Sequence, residues 1–479
     1  MVFSSIVFIF YFLPAFMLAY YLSGWRTALL LLGSAVFYAW GEGAYLALLG
    51  ALIVANYGVV RAMDQSAGRL RKTLLALVIV VDVAVLCWFK YAGFIASTLN
   101  EVLPSAPLPE MSHHLLLGIS FFTFQLISYA VDIYRRVLPA ERSLVRFATY
   151  VLMFPHLIAG PIVRYAHIAD ELHADRRRSG RIGLGVQYFI IGLCQKVLVA
   201  NAVAPLADFA FGLPGNSLDA TTAWLGAIAY TFQIYFDFCG YSNMAIGLAF
   251  MLGFTFPRNF DYPYAATSIT DFWRRWHISL STWFRDYVYI PLGGNRGGKT
   301  RTLRNLLIVF LLTGLWHGAA WTFIVWGLFH GLFLIVERIG LGRALERAPR
   351  VLRRLYVLLV VIAGWVIFRA ETLGQAGDYL RAMANFRTFQ PARLELAALA
   401  DAELLATLVA GLILSFPVVP ALMQWLKMAR SDEPSPDLPS RLDTRATHAV
   451  PAPILLAGLT LSIGVLSGTT LNPFLYFRF

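Results

Sequence analysis

Long apolar runs recur from one end of this chain to the other, near residues 2–22, 27–41, 43–60, 73–98, 115–134, 147–163, 182–212, 223–256, 305–337, 355–369, 404–426 and 452–471. A membrane-crossing helix needs about 20 predominantly apolar residues, so the chain is constrained to cross a bilayer repeatedly. Composition agrees. Only 14% of the 479 residues are charged and the mean hydropathy is +0.65, whereas soluble domains carry about 25% charged residues. The expected fold class is an all-α polytopic membrane protein. Aromatic residues make up 15%, which suits interfacial belts and a packed helical interior. The runs are uneven: 27–41 is short, and 305–337 is long enough to enter and return.

Lysine and arginine sort the connecting loops, because cytoplasmic loops carry the excess of positive charge. Arg61, Arg69, Arg71 and Lys72 mark 61–72 as cytoplasmic. Arg135, Arg136, Arg142 and Arg146 mark 135–146. Segment 257–304 holds Arg258, Arg274, Arg275, Arg285, Arg296, Lys299, Arg301 and Arg304. Segment 338–354 holds Arg338, Arg343, Arg347, Arg350, Arg353 and Arg354. Segments 99–112 and 213–222 hold no Lys or Arg and read as external. Run 147–163 is flanked by Arg146 and by Arg176, Arg177 and Arg178, so it is expected to be re-entrant. Run 305–337 is basic on both flanks, so it is expected to be a hairpin turning near Trp316-His317-Gly318. Counted from Asn305 at 1.5 Å per residue, His317 lies roughly 18 Å into the membrane. Broken backbone at that depth requires a cavity or a protein lining. A buried ionisable group there is a functional-site candidate, and neutral imidazole accepts a proton near pH 7. The same sorting places both termini outside.

The net charge of +12 is accounted for by cytoplasmic loops and forms no stripe on a soluble domain, which excludes nucleic acid as a partner. Cys87, Cys194 and Cys239 lie in apolar runs without CxxC spacing, so neither a disulfide framework nor a metal site is expected. Residues 2–22 have no basic leader or cleavage signature and read as a first membrane helix. No internal repeat is visible, so 1–479 is taken as a single membrane domain. Residues 432–439 are a polar, Pro-rich loop, and 370–403 read as an external, partly helical segment.

Polar residues inside this apolar background are the site candidates. Residues 268–287 have a helix-start pattern, with Ser268 and Asp271 spaced as a capping box. On one continuous helix, Phe272, Trp273, Trp276, Leu280, Trp283, Phe284 and Tyr287 share a face. Arg274, Ser281 and Arg285 lie opposite, and His277 sits at the border beside Ser281. That pattern reads either as an interfacial amphipathic helix or as a site with His277 at a cavity mouth. The glycine-rich stretch 291–299 carries Arg296 and Lys299. It lacks phosphate-loop spacing and reads first as a flexible basic loop. Gln233, Asp237 and Tyr241 fall on one helical stripe, where Asp237 must pair or be hydrated. Lys90, Asp132, His156, Lys196 and Asn201 read as structural ties. His330, 13 residues after His317, is about 220° round a continuous helix from it and makes no metal pair. His113, His114, His167, His173 and His448 fall in loops or at helix ends.

Taken in order, Gln125…Ser128-Tyr129…Asp132-x-Tyr134-Arg135, Phe154-Pro-His156…Gly160-Pro161, Tyr235-Phe-Asp237-Phe, Phe272-Trp-Arg-Arg-Trp-His277 and Leu315-Trp-His317-Gly318 resemble the membrane-bound O-acyltransferase (MBOAT) family. Met1-Val-Phe-Ser-Ser5, Phe37-Tyr-Ala-Trp40 and the ending 472–479 look most like its alginate O-acetylation branch. Cys239 and Asn243 depart from that branch, where serine and aspartate are common. The resemblance implies about 11–12 membrane helices, some broken or re-entrant, around a central tunnel. It implies catalytic roles for His317 and His277, with Asp237, Tyr241 and Trp316 in support. It also implies an acetyl-CoA donor substrate and no bound prosthetic group; the basic surface of 257–304, with Arg274, Arg285, Arg296 and Lys299, is the surface expected to meet the donor's phosphates. Periplasmic acetylesterase-like proteins and an exported polysaccharide acceptor follow, with the chain in the bacterial inner membrane among its lipids. Two activities of the same family, peptidoglycan O-acetylation and carrier-dependent D-alanyl transfer, remain alternatives. So does a transporter using His317 and Asp237 as a proton relay.

Overall fold

The computed structural model describes residues 1–103, 108–109, 114–174, 181–385, 401–425 and 450–468. Arg176 to Arg178, His113, His448, the loop 432–439 and the ending 472–479 lie outside these residues. The described elements are helical, and five are long and apolar enough to cross a membrane: Tyr45–Gln65, Gly68–Val102, Ile182–Gly212, Trp321–Arg347 and Arg350–Arg369. Shorter apolar helices include Phe8–Leu22, Ile119–Tyr134, Ala402–Leu414 and Ala452–Gly468. Contacts group the chain into two units. These are Met1–Phe189 with Met244–Pro257, and Ile190–Asn243 with Arg258–Phe479.

In the first unit, α1 (Leu13–Leu22), α2 (Arg26–Glu42), α3 (Tyr45–Gln65), α4 (Gly68–Val102) and α5 (Ile119–Tyr134) follow one another. Phe3, Phe8, Phe12, Phe16, Phe37 and Phe154 form one aromatic cluster with ring centroids 5.1–6.3 Å apart. A polar tie crosses α3 and α4, where the Asn56 amide donates to buried Asp82 at 2.9 Å. The run 147–163 makes no full span. Helix α6 (Leu144–Leu152) stops at Met153, a single turn α7 (Phe154–Leu157) follows, and the chain continues without helix to α8 (Tyr165–His173). Every residue from 147 to 163 is buried, which is the protein-lined setting a broken membrane segment needs.

Buried Glu141 ties that segment down. It accepts hydrogen bonds from the Arg142 and Ser143 N–H groups at 2.8 Å and from the Tyr165 hydroxyl at 2.6 Å, and pairs with His173 at 3.0 Å. Burial pushes this carboxyl up, but Tyr165, the two N–H groups and His173 together hold it below the usual carboxylate range.

In the second unit, α9 (Ile182–Cys194) enters from residue 190 and leads into α10 (Asn201–Gly212) through a widened turn at Gln195–Ala200. Helix α11 (Ala220–Leu252) contributes residues up to 243. Short helices α12 (Ile269–Arg275) and α13 (Ile278–Phe284) precede α14 (Gly298–His317) and α15 (Trp321–Val336). Helices α16 (Gly342–Arg347), α17 (Arg350–Arg369) and α18 (Leu373–Ala384) follow. Residues 305–337 form the expected hairpin. Helix α14 ends at His317 and only residues 318–320 separate it from α15. The two helices touch backbone to backbone, because a Cβ on Gly314 would lie 2.3 Å from the Phe323 carbonyl oxygen and one on Gly327 2.2 Å from that of Phe310. Small residues at such crossings are what let membrane helices approach.

Gly314→Val or Gly327→Val should therefore force the hairpin apart at a destabilisation of about 1–3 kcal/mol. Gly50→Ala, where an added Cβ meets nothing within 4 Å, should be neutral or slightly stabilising. Thermal unfolding of the detergent-purified variants checks both.

Candidate active site

Residues 268–287 do not form the single helix that their periodicity suggests. Ser268 does cap the start, accepting from the Asp271 N–H at 2.9 Å, but the Asp271 carboxylate turns to the Thr267 N–H at 3.2 Å rather than closing a capping box. Buried Glu337, from the end of α15, also caps α12. It accepts from the Ile269 and Thr270 N–H groups at 2.5 and 3.0 Å. After one turn more, Trp276 is extended and His277 takes a left-handed backbone, φ 44° and ψ 55°. An irregular stretch at 259–261 runs beside this break. The Asp261 N–H donates to the Arg275 carbonyl at 2.9 Å, and the Ile278 N–H donates to the Asn259 carbonyl at 3.0 Å. These bonds satisfy backbone groups that continuing the helix would have used. The wheel still sorted most of the burial: Phe272, Trp273, Trp276, Leu280, Trp283 and Phe284 are inside and Arg274 and Arg285 are exposed, while Tyr287 and Ser281, placed on opposite faces, are both half-buried. It failed for His277, which lies in the break and is 0% exposed rather than at an open mouth.

The break brings the two sequence-identified histidines to one aromatic side chain. The Trp316 ring centre is 5.7 Å from that of His277 and 4.9 Å from that of His317. His317, at the last position of α14, also meets the faces or edges of Trp326 at 4.9 Å and Phe368 at 5.2 Å. On the other side, Phe238 of α11 stands edge-on to His277 at 4.7 Å. His330, one turn after Trp326, packs against that same indole at 5.1 Å and stacks on Phe272. The helix count that separated His317 from His330 does not apply, because the helix breaks between them. Among the described residues, no three His, Cys, Asp or Glu side chains gather as a metal site.

Asp237 is paired. Its carboxylate lies 2.6 Å from the Lys196 ammonium, both nearly inaccessible, and Lys196 also donates to Asn201 at 2.8 Å. Two expected ties, Lys196 and Asn201, thus form one cluster with Asp237, with Lys196 in the widened turn between α9 and α10. Phe238, the next residue on α11, is the one that reaches His277. Tyr241 is buried one turn beyond Asp237. The Asn243 amide donates to Gln195 at 2.8 Å and to the Cys239 sulfur at 3.6 Å. Of the proposed donor-binding cations, Arg274, Arg285, Arg296 and Lys299 are all exposed. Arg285 is held by Asp286 at 2.7 Å. Arg296 and Lys299 flank the left-handed Gly298. The buried Asn305 amide fastens that loop to the Leu292 and Gly294 carbonyls, both at 3.2 Å. Sequence reasoning missed Asn259, Glu337, Trp326 and Phe368. Only their burial and the break in α12–α13 reveal them.

The sequence model of the membrane-bound O-acyltransferase family matches residues 70–371. The chain belongs to this family. Its membrane helices, its buried histidine pair and the catalytic class of its relatives agree: it is a multi-pass membrane acyltransferase. It is 43% identical, over the full length of both chains, to a Pseudomonas aeruginosa protein named a probable alginate O-acetylase. It is 38% identical to the peptidoglycan O-acetyltransferase of Helicobacter pylori over 80% of each chain. The teichoic acid D-alanyltransferase of Bacillus subtilis is 31% identical over 52% of this chain and 67% of its own length.

Removing one partner of the Lys196–Asp237 pair should leave the other buried charge without that counter-ion. Lys196→Met or Asp237→Leu is expected to destabilise the protein by about 3–5 kcal/mol, and the double variant should recover most of that loss. A double-mutant cycle on thermal unfolding and membrane yield measures the coupling.

Proposed function

We propose that this acyltransferase moves an acetyl group from a cytoplasmic thioester, acetyl-CoA, to the far side of the bacterial inner membrane for O-acetylation of an exported polysaccharide of the alginate kind. The observation that carries the reading is the pair of buried imidazoles against Trp316, in a chain alignable end to end with alginate O-acetylases. Periplasmic acetylesterase-like proteins would receive the group and pass it on. Both termini would face the periplasm, as the loop charges require.

The chemistry uses neutral imidazole. As the acceptor hydroxyl attacks the thioester carbonyl, a ring nitrogen of His317 takes the hydroxyl proton. The new C–O bond forms, the C–S bond breaks, and the CoA thiolate leaves and picks up a proton from the imidazolium. In a covalent version one ring nitrogen of His317 attacks the thioester carbonyl, the C–N bond forms as the C–S bond breaks, and the departing thiolate takes the proton of the other ring nitrogen; the acceptor hydroxyl then attacks the acyl-imidazole, the C–N bond breaks, and the hydroxyl proton returns to the ring. The apolar walls supplied by Trp316, Trp326 and Phe368 would keep water from the thioester. The exposed cations Arg274, Arg285, Arg296 and Lys299 would meet the phosphates of the donor.

A second reading, peptidoglycan as acceptor, draws on the 38% identity to the Helicobacter pylori enzyme. Acetyl analysis of wall and exopolysaccharide fractions separates the two acceptors. His317→Ala should lower acetyl transfer by at least about 10²-fold with membrane abundance unchanged. Transfer within twofold of the parent would contradict the assignment.

A further inference from the structure

Asn259 is 1% exposed, and its carboxamide meets groups around His277 and on α11. The Oδ1 atom lies 3.2 Å from His277 Nδ1. It accepts from the Ser279 N–H at 3.3 Å and from the Ser279 hydroxyl at 2.8 Å. The Nδ2 amide donates to the Ser242 hydroxyl at 3.0 Å. The carboxamide cannot be turned round, because the Ser279 backbone N–H is a donor and needs the oxygen opposite it. An amide oxygen only accepts, so His277 Nδ1 must be the nitrogen that carries the hydrogen. The Ser279 hydroxyl, 3.5 Å from Nδ1, spends its own hydrogen on Asn259 and so can only accept there as well. The backbone fixes the ring further, since the Asn259 carbonyl holds the Ile278 N–H and locks the left-handed residue before it.

We infer that Asn259 is a positioning residue that holds His277 as the Nδ1–H tautomer and so makes Nε2 its basic nitrogen. An acceptor against one ring nitrogen is a general device for fixing which nitrogen is protonated and for orienting the ring. Resting on the acetyl-transfer reading, this leaves Nε2 of His277 to accept a hydrogen bond at the site while Nδ1–H stays bonded to Asn259, and the proton of the acceptor hydroxyl still passes through His317 to the leaving thiolate.

The test is the 15N spectrum of the full-length, detergent-purified protein labelled with 15N-histidine, with the His277 signals assigned by their loss in His277→Gln. The expected result is a neutral Nδ1–H ring in the parent and in Asn259→Asp, which keeps an oxygen in place. Asn259→Leu should shift the ring to a mixture or to Nε2–H. In parallel, kcat for acetyl transfer should fall by about 10–100-fold in Asn259→Leu, with KM for acetyl-CoA changed little and most of the rate restored by Asp. An Nε2–H ring in the parent overturns the inference without any Asn259 variant needing to fold. So does an unchanged tautomer in a folded Asn259→Leu protein. Failure of the acetyl-transfer reading shows elsewhere, as full activity in His277→Gln or no transfer by the parent, because the tautomer is read without turnover.

Discussion

A helix that stops inside a membrane exposes N–H and C=O groups that lipid cannot satisfy, and the site depends on how this protein meets that constraint. Helix α14 ends at His317 and α12 ends just before His277. At the α12 stop protein groups replace the missing helical partners. At α12–α13 the replacements are the Asn259 carbonyl and carboxamide and the Arg275–Asp261 backbone bond. At α14–α15 the backbones close on each other through Gly314 and Gly327, with only residues 318–320 between the two helices. The two breaks converge on Trp316, and that convergence sets two imidazoles against one indole.

Charge in the second unit follows the same logic. Lys196 and Asp237 are costly alone and compatible together, and their union fixes the stretch of α11 from which Phe238 packs on His277. Glu337 places a carboxylate against the first N–H groups of α12, where a negative charge is favoured, and so anchors the helix that carries the chain into the His277 break.

Much of this was legible in the sequence because it follows from periodicity and loop charge. The hairpin at His317, the interrupted run 147–163 and the buried face of 268–287 all appear where those patterns put them. The pairing of Asp237 was foreseeable as a need, though not its partner, since Lys196 lies 41 residues away and nothing local links them. The break at His277 was not legible. Trp276-His277-Ile278 is a good amphipathic continuation, and it is overruled by hydrogen bonds from Asn259, 18 residues upstream in an irregular stretch with no pattern of its own. His330 was set aside by a helix count that held only if α14 and α15 were continuous. The exposed cations were found by composition, but composition does not gather them, and the structure leaves them on separate elements.

The central claim is that acyl transfer occurs where His277 and His317 meet Trp316. It is tested most directly by an experimental structure of the purified protein with a non-hydrolysable acetyl-CoA analogue. The account predicts the carbonyl of the analogue beside the Trp316 indole, within hydrogen-bonding reach of an imidazole nitrogen of His317 or His277. A carbonyl bound elsewhere, with both imidazoles still enclosed by aromatic side chains and out of its reach, would contradict it.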